Sequence, residues 1–206
     1  MTSSKFLFSV FDVTRQVFYK TAFSLGIVNL KPLLPGHVLI IPQRVVSRLS
    51  DLRPEEVSDL FLTVQHVGRV LERTFGSQAL TISLQDGAAA GQSVPHVHVH
   101  ILPRKYTDFD GNNDEIYPAL EKNGHHMSGA FHTHANGIAS GGSQPRPQSS
   151  EPIGLAEFRV VSDEDRKPRS MEEMEKEARW LAGMFQVVYS PNAAPLGKPI
   201  PRGAES

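Results

Sequence analysis

Cysteine is absent from all 206 residues, which excludes disulfides and thiolate chemistry and suits a reducing compartment. Neither sign of charge dominates: 21 Lys and Arg stand against 22 Asp and Glu, a formal net charge of −1 with histidine neutral. No global field draws the chain to nucleic acid or to an anionic membrane, so any anion it binds must be held by local geometry. No apolar run approaches the ~18 residues of a membrane-spanning helix. The opening Met1-Thr2-Ser3-Ser4-Lys5 has no long apolar segment of the secretory kind. The expectation is a cytoplasmic protein, also nuclear by passive entry, with no nucleic-acid and no membrane partner.

What the chain does have is histidine, nine in all, and three of them fall in Pro95-His96-Val97-His98-Val99-His100-Ile101-Leu102. The strict alternation with aliphatics predicts a half-buried β-strand with all three imidazoles on one face. The aliphatic face packs on a core; the histidine face meets solvent, a ligand or a metal. An H-x-H pair can converge on zinc at ~2.0–2.1 Å. The third histidine is then awkward, because the outer two lie about 13 Å apart along a straight strand. The other chemistry open to three such imidazoles is nucleophilic catalysis, one attacking while its neighbours donate to a charged substrate.

Directly upstream, Gln85-Asp86-Gly87-Ala88-Ala89-Ala90-Gly91-Gln92-Ser93 is a small-residue loop. Asp-Gly is an ordinary hairpin signal. Two glycines also let backbone N–H groups approach an anion closely. Beside a histidine-lined strand, a phosphate cradle is the better reading.

The motif His96-x-His98-x-His100-x-x, with apolar residues between, resembles the signature of the histidine triad superfamily. The run QDGAAAGQSVPHVHVHILPRK, residues 85–105, is similar to its fragile-histidine-triad branch, which hydrolyses diadenosine triphosphate (Ap3A) and related dinucleoside polyphosphates. The likeness extends to Val28-Asn29-x-Lys31-Pro32, to Pro35-Gly36-His37-Val38, and to residues 51–61 and 170–186. It fails over residues 123–157, where the chain carries an insertion of fungal-like type.

Taken in order, residues 6–11 and 16–21 read as two strands of a hairpin, and 23–31 as a third strand ended by Pro32. Val38-Leu39-Ile40-Ile41 is a short buried strand stopped by Pro42. Pro54, Glu55 and Glu56 open the main helix. Val57, Leu60, Val64, Val67 and Leu71 give it one apolar face, and Gly76 ends it. Residues 79–84 form the strand before the glycine loop, antiparallel to the triad strand. Arg104-Lys105 lies close enough to influence a polyphosphate, and a short helix covers 113–122. Ser170-x-x-Glu173 is a capping box for a helix running to about Gln186. The fold class expected is α+β: the histidine-triad fold, an antiparallel sheet of about five strands with helices mainly on one face. Residues 1–122 form the catalytic domain and 123–157, poor in large apolars, a disordered insertion. Residues 158–190 complete the domain and 191–206 are a flexible tail.

The resemblance implies a site. His98 matches the nucleophile, attacking the α-phosphorus to give a nucleotidyl-histidine and expel ADP; water then releases AMP. His100 donates near the scissile bridging oxygen. His96 orients the network through His37, which lies behind the triad. Asn29 matches a ribose contact, and Gln85, Gly91, Gln92, Ser93 and Val94 match positions that hold phosphates and leaving group. Tyr117 matches a tyrosine in a loop that the family orders on binding. A homodimer is implied as well. Mg2+ or Mn2+ is expected to accompany the substrate phosphates, with no tightly bound, protein-ligated metal. Two departures stand out: Val10, near a position that can be polar, and the run Ala88-Ala89-Ala90. A dinucleotide-binding module would need the same pocket, and preference for Ap3A over Ap4A has no signature in the residues.

Overall fold

The computed structural model describes residues 5–122 and 167–186. The expected insertion and tail fall outside those residues. Seven strands form among the described residues: β1 (Leu7–Phe8), β2 (Phe11–Asp12), β3 (Val17–Lys20), β4 (Ser24–Val28), β5 (Val38–Pro42), β6 (Ala79–Leu84) and β7 (Val99–Arg104). The last five make one sheet in the order β3-β4-β5-β7-β6, every neighbour antiparallel. The expected five-stranded α+β architecture is what forms.

The apolar run Val38-Leu39-Ile40-Ile41 sits at the centre, buried on both faces. A continuous apolar run, rather than an alternating one, is what such a position requires. In β7 the faces separate: Val99 and Ile101 enter the main core, while Leu102 joins Leu33, Leu34, Ile116 and Leu120 in a second cluster. Alternation places His100 on the same side as Leu102.

Helix α1 (Pro54–Phe75) has proline in its first turn and ends at Gly76, whose φ of 58° suits a residue without a Cβ. Its Leu60, Val64, Val67 and Leu71 are buried against the sheet. The Glu56 side chain accepts the Arg53 N–H at 2.8 Å, closing the first turn, and accepts from Arg44 at 2.6 and 2.9 Å. The Arg44 hydrogen bonds chiefly hold this buried carboxylate well below its ordinary range. Helix α2, residues 116–122, supplies Ile116 and Leu120 to the second cluster. Helix α3 (Met171–Gln186) opens on the expected capping box: Ser170 N–H donates to Glu173 Oε2 at 2.8 Å, and Glu173 N–H to Ser170 Oγ at 3.2 Å. It packs Met174, Ala178 and Leu181 into the main core against β3 and β4. Helix α3 therefore shares the main core with the sheet.

Two expectations are corrected. Residues 6–11 are not one strand of a hairpin with 16–21. Leu7–Phe8 folds back on Phe11–Asp12 through a turn in which Ser9 has φ 57°. Phe8 and Phe11, three residues apart, would face opposite sides of a continuous strand; the turn sends both into the core. Second, the triad does not lie wholly on a strand, because β7 begins only at Val99. Pro95 has no N–H, and the next two amides leave the ladder: His96 N–H donates to Val94 O at 2.8 Å and Val97 N–H to Val46 O at 2.8 Å.

Candidate active site

All three triad histidines are buried, and so is His37. The histidine face does not meet solvent, since the β1–β2 hairpin brings Phe8 against two of its rings. Phe8 lies 5.5 Å from the His96 ring and 5.3 Å, edge to face, from the His98 ring. Each imidazole has a definite tautomer, fixed for His37, His96 and His98 by backbone groups that can only donate or only accept, and for His100 through His37.

His96 Nδ1 accepts the Ser9 N–H at 2.9 Å, so its hydrogen is on Nε2, which donates to Pro42 O at 3.0 Å. Both nitrogens are spent on the scaffold. Burial pushes its pKa down to about 4 against the support of the Pro42 carbonyl, so it is neutral at physiological pH. His98 Nδ1–H donates to His96 O at 2.7 Å. That leaves Nε2 as an unprotonated lone pair, and burial lowers the pKa from 6.5, so the neutral form prevails.

His100 is paired differently. Leu33 N–H donates to His37 Nδ1 at 3.1 Å, which places the His37 hydrogen on Nε2; this donates to His100 Nδ1 at 2.9 Å. His100 therefore carries its hydrogen on Nε2. Burial, reinforced by the neighbouring His37 and His98, holds its pKa well below 6.5. The expectation that His96 orients the network through His37 is corrected: the ring that His37 meets is His100. Antiparallel pairing of β5 with β7 sets Val38 opposite Ile101, so His37 meets the far end of the triad. Asn29 is buried beside it. Its Oδ1 accepts the Lys31 N–H at 3.0 Å, and its Nδ2 lies 3.2 Å from His37 Nε2. Since that ring nitrogen gives its hydrogen to His100, this contact is close packing of two donors.

The glycine loop joins β6 to the triad. Gly91 has φ +88°, and a Cβ there would stand 2.8 Å from Gln85 Nε2, so only glycine lets the Gln85 amide lie over the loop. Ser93 Oγ is buried and has no hydrogen-bond partner among the described residues. The Val94 side chain belongs to the main core, and its carbonyl accepts the His96 N–H. Gln92 turns inward: Oε1 accepts the Gly87 N–H at 3.1 Å, and Nε2 donates to Ser47 O at 2.9 Å and His96 O at 3.3 Å. Asp86 pins the loop outside, accepting the Leu49 N–H at 2.8 Å and Arg48 Nη2 at 3.1 Å. A cleft of about 470 Å³ opens alongside, lined by Ser83, Gln85, Ala88, Gly91 and, from α2, Tyr117 and Glu121.

Arg104 is engaged by the protein itself. Its guanidinium donates to Asp108 at 3.0 Å, Thr81 at 2.8 Å and Asn113 O at 3.0 Å, fixing the turn after β7. Val10 stands exposed at the hairpin tip. Among the described residues, no group of three or more His, Cys, Asp or Glu is disposed to hold a metal ion. Two contributors had escaped notice in the sequence, the Ser9 amide on His96 and Arg169. The latter reaches back from beside α3 to donate to the Asn29 carbonyl at 3.1 Å through Nε. Separations of 87 and 140 residues leave no local signal for either.

A five-stranded antiparallel sheet carrying three clustered histidines, with a glycine loop leading into them, defines the class as an α+β domain built around a histidine cluster. Comparison with known proteins agrees. Residues 11–107 match the HIT domain model. A bis(5'-nucleosyl)-tetraphosphatase (asymmetrical) of Schizosaccharomyces pombe is 51% identical over 178 residues, 86% of this chain and 93% of that one. A bis(5'-adenosyl)-triphosphatase of Dictyostelium discoideum is 39% identical over 83% of this chain and 86% of its own. Among solved structures, Plasmodium falciparum diadenosine triphosphate hydrolase in complex with cyclomarin A aligns with a TM-score of 0.59 and 27% identity, covering 92% of this chain and 90% of that one. The chain belongs to the HIT domain family.

Proposed function

We propose that the chain hydrolyses Ap3A and related dinucleoside polyphosphates, with His98 as the nucleophile. One observation carries the reading: the 2.7 Å bond from His98 Nδ1–H to the His96 carbonyl, which leaves Nε2 with a lone pair in a neutral ring. An uncharged nitrogen approaches the phosphate anion without the repulsion hydroxide would meet. Nε2 attacks the α-phosphorus, a P–N bond forms, the bond to the bridging oxygen breaks and ADP leaves. His100, with its hydrogen on Nε2, donates to the oxygen that gains charge. Water then attacks phosphorus and gives up a proton to solvent as the P–N bond breaks; AMP departs and the His98 lone pair is restored.

Gln85, Gly91, Ser93 and the Val94 backbone hold phosphate, and the adjoining cleft receives the leaving nucleotide. The relatives' names include both a tetraphosphatase and triphosphatases, and the same displacement serves either substrate, with ATP or ADP as leaving group. Mg2+ or Mn2+ enters on the substrate phosphates. The outer edge of β6, where Ile82 is half exposed, suits pairing with a second copy in a homodimer. No helix among the described residues is long and apolar enough to cross a membrane; the site of action we propose is cytoplasmic or nuclear. Product analysis with Ap3A and Ap4A tests the reading. AMP with ADP, and AMP with ATP, are expected; binding without turnover would identify a dinucleotide-binding module instead.

A further inference from the structure

Gln92 falls among the positions expected to touch substrate, yet its amide is engaged on three sides by the protein itself. Both Nε2 hydrogens are spent, one on Ser47 O and one on His96 O. The second acceptor is the carbonyl that also takes the His98 Nδ1–H. The Gly87–Gln92 turn is closed in both directions, because Gln92 N–H donates to Gly87 O at 3.2 Å while Oε1 accepts the Gly87 N–H. One side chain thus joins the phosphate loop, the Ser47 turn and the acceptor that fixes the tautomer of His98.

We propose that Gln92 is a positioning residue for the nucleophile, acting through the His96 carbonyl rather than on substrate. The proposal rests on His98 being the attacking group. Two donors on one carbonyl compete for its electron density. At 3.3 Å the Gln92 donation is the weaker, and it tempers the hydrogen bond that orients His98 without displacing it. The same contact fixes where that carbonyl points, and with it the direction of the Nε2 lone pair. Removing the amide frees the carbonyl to drift and lets it bind the Nδ1–H more strongly. The groups facing His98 are His96 and His100 on its own segment, the apolar Phe8 ring from β1, and His37 through His100. Asp86 and Arg48, the charged residues of the loop, are paired with each other.

The loop has further ties that survive loss of Gln92. Asp86 still holds the Leu49 amide, and Val97 N–H still donates to Val46 O. Gln92→Met keeps the length of the side chain and removes its hydrogen bonds. Gln92→Asn keeps the amide one methylene short of its acceptors and serves as a second probe if the first folds poorly. The experiment measures kcat and KM for Ap3A across pH. A fall in kcat of roughly 10–100-fold is expected, the scale on which partners of an active-site histidine act, with KM changed less than about threefold. The acid limb of kcat should also move to higher pH by about half a unit, because the His98 bond to its carbonyl strengthens and favours the charged ring. A KM raised more than about tenfold with kcat intact would assign Gln92 to substrate and overturn the proposal. A fall in kcat with the acid limb unmoved would reduce it to ordinary loop packing. Undiminished turnover by His98→Asn, measured in parallel, would instead remove the premise.

Discussion

His37 and His100 form a pair across the β5–β7 strands, Nε2 to Nδ1 at 2.9 Å, and the direction of the bond is set by a backbone amide. Leu33 N–H occupies His37 Nδ1, so the hydrogen between the rings belongs to His37, and His100 must carry its own on the outer nitrogen. A main-chain group four residues from His37 thus determines that the outer nitrogen of His100 carries a hydrogen to donate.

Replacing His37 by Phe removes that determinant and leaves a buried His100 nitrogen without its partner. Kcat should fall about 10–100-fold, and stability by about 1–3 kcal/mol, the cost of an unsatisfied buried polar group. KM should change little, because His37 lies behind the site. Steady-state kinetics and a denaturant titration measure both, and an unchanged kcat would show that the pair does not orient His100.

His98→Asn keeps a polar side chain and removes the nucleophile. Affinity for Ap3A should stay within roughly tenfold, about 1.4 kcal/mol, while turnover drops by several orders of magnitude. During wild-type turnover, acid-labile adenylate should be trapped on His98, read by mass spectrometry after quenching with labelled Ap3A. Label on His96 or His100 would reassign the nucleophile.

Acid should act twice. The lowered pKa of His98 puts the acid limb of kcat/KM, which reports the free enzyme, below the ordinary histidine value of ~6.5. A limb above pH 7 would contradict a buried neutral imidazole. Stability should follow the same groups. His96 is neutral in the fold down to about pH 4, whereas in the unfolded chain it takes up a proton near its ordinary 6.5. The unfolded state therefore binds more protons between these values. Stability is fully present above pH 6.5 and is lost as pH falls towards 4, at about 1.4 kcal/mol per pH unit for each such histidine. His98 and His100, also lowered, add in the same direction. Urea midpoints between pH 7 and pH 4.5 measure the slope, and a flat profile would refute neutral burial.

Arg169 lies outside the residues matched by the family model, yet its side chain donates to the Asn29 carbonyl and pairs with Glu177, while its own N–H donates to Leu30 O at 3.0 Å. Arg169→Met should lower kcat as well as the melting temperature, because Asn29 packs on His37. Loss of stability with kcat unchanged would confine the residue to anchoring α3.

How much of this was legible in the sequence depended on how local the cause was. The ends of α1 were readable because Pro54 and Gly76 act on their own backbone, and the capping box of α3 because Ser170 and Glu173 are three residues apart. The triad and the glycine loop were visible as residue types at fixed spacing. Burial of the triad was not, since it comes from a hairpin that turns at Ser9, where the residues read equally well as a continuing strand. The assignment of His37 to His100 required the β5–β7 register, and that register is set by core packing. Arg104 looked like a basic end beside a polyphosphate until Asp108 and Thr81 were seen to occupy it.

The hydrogen bonds that order the four buried histidines also label them. His37, His96 and His100 carry hydrogen on Nε2, and His98 alone carries it on Nδ1. Nitrogen NMR distinguishes the two tautomers by chemical shift, so the attacking ring is a single outlier in an otherwise uniform set. Its signal can be followed through substrate binding and covalent modification without any introduced probe.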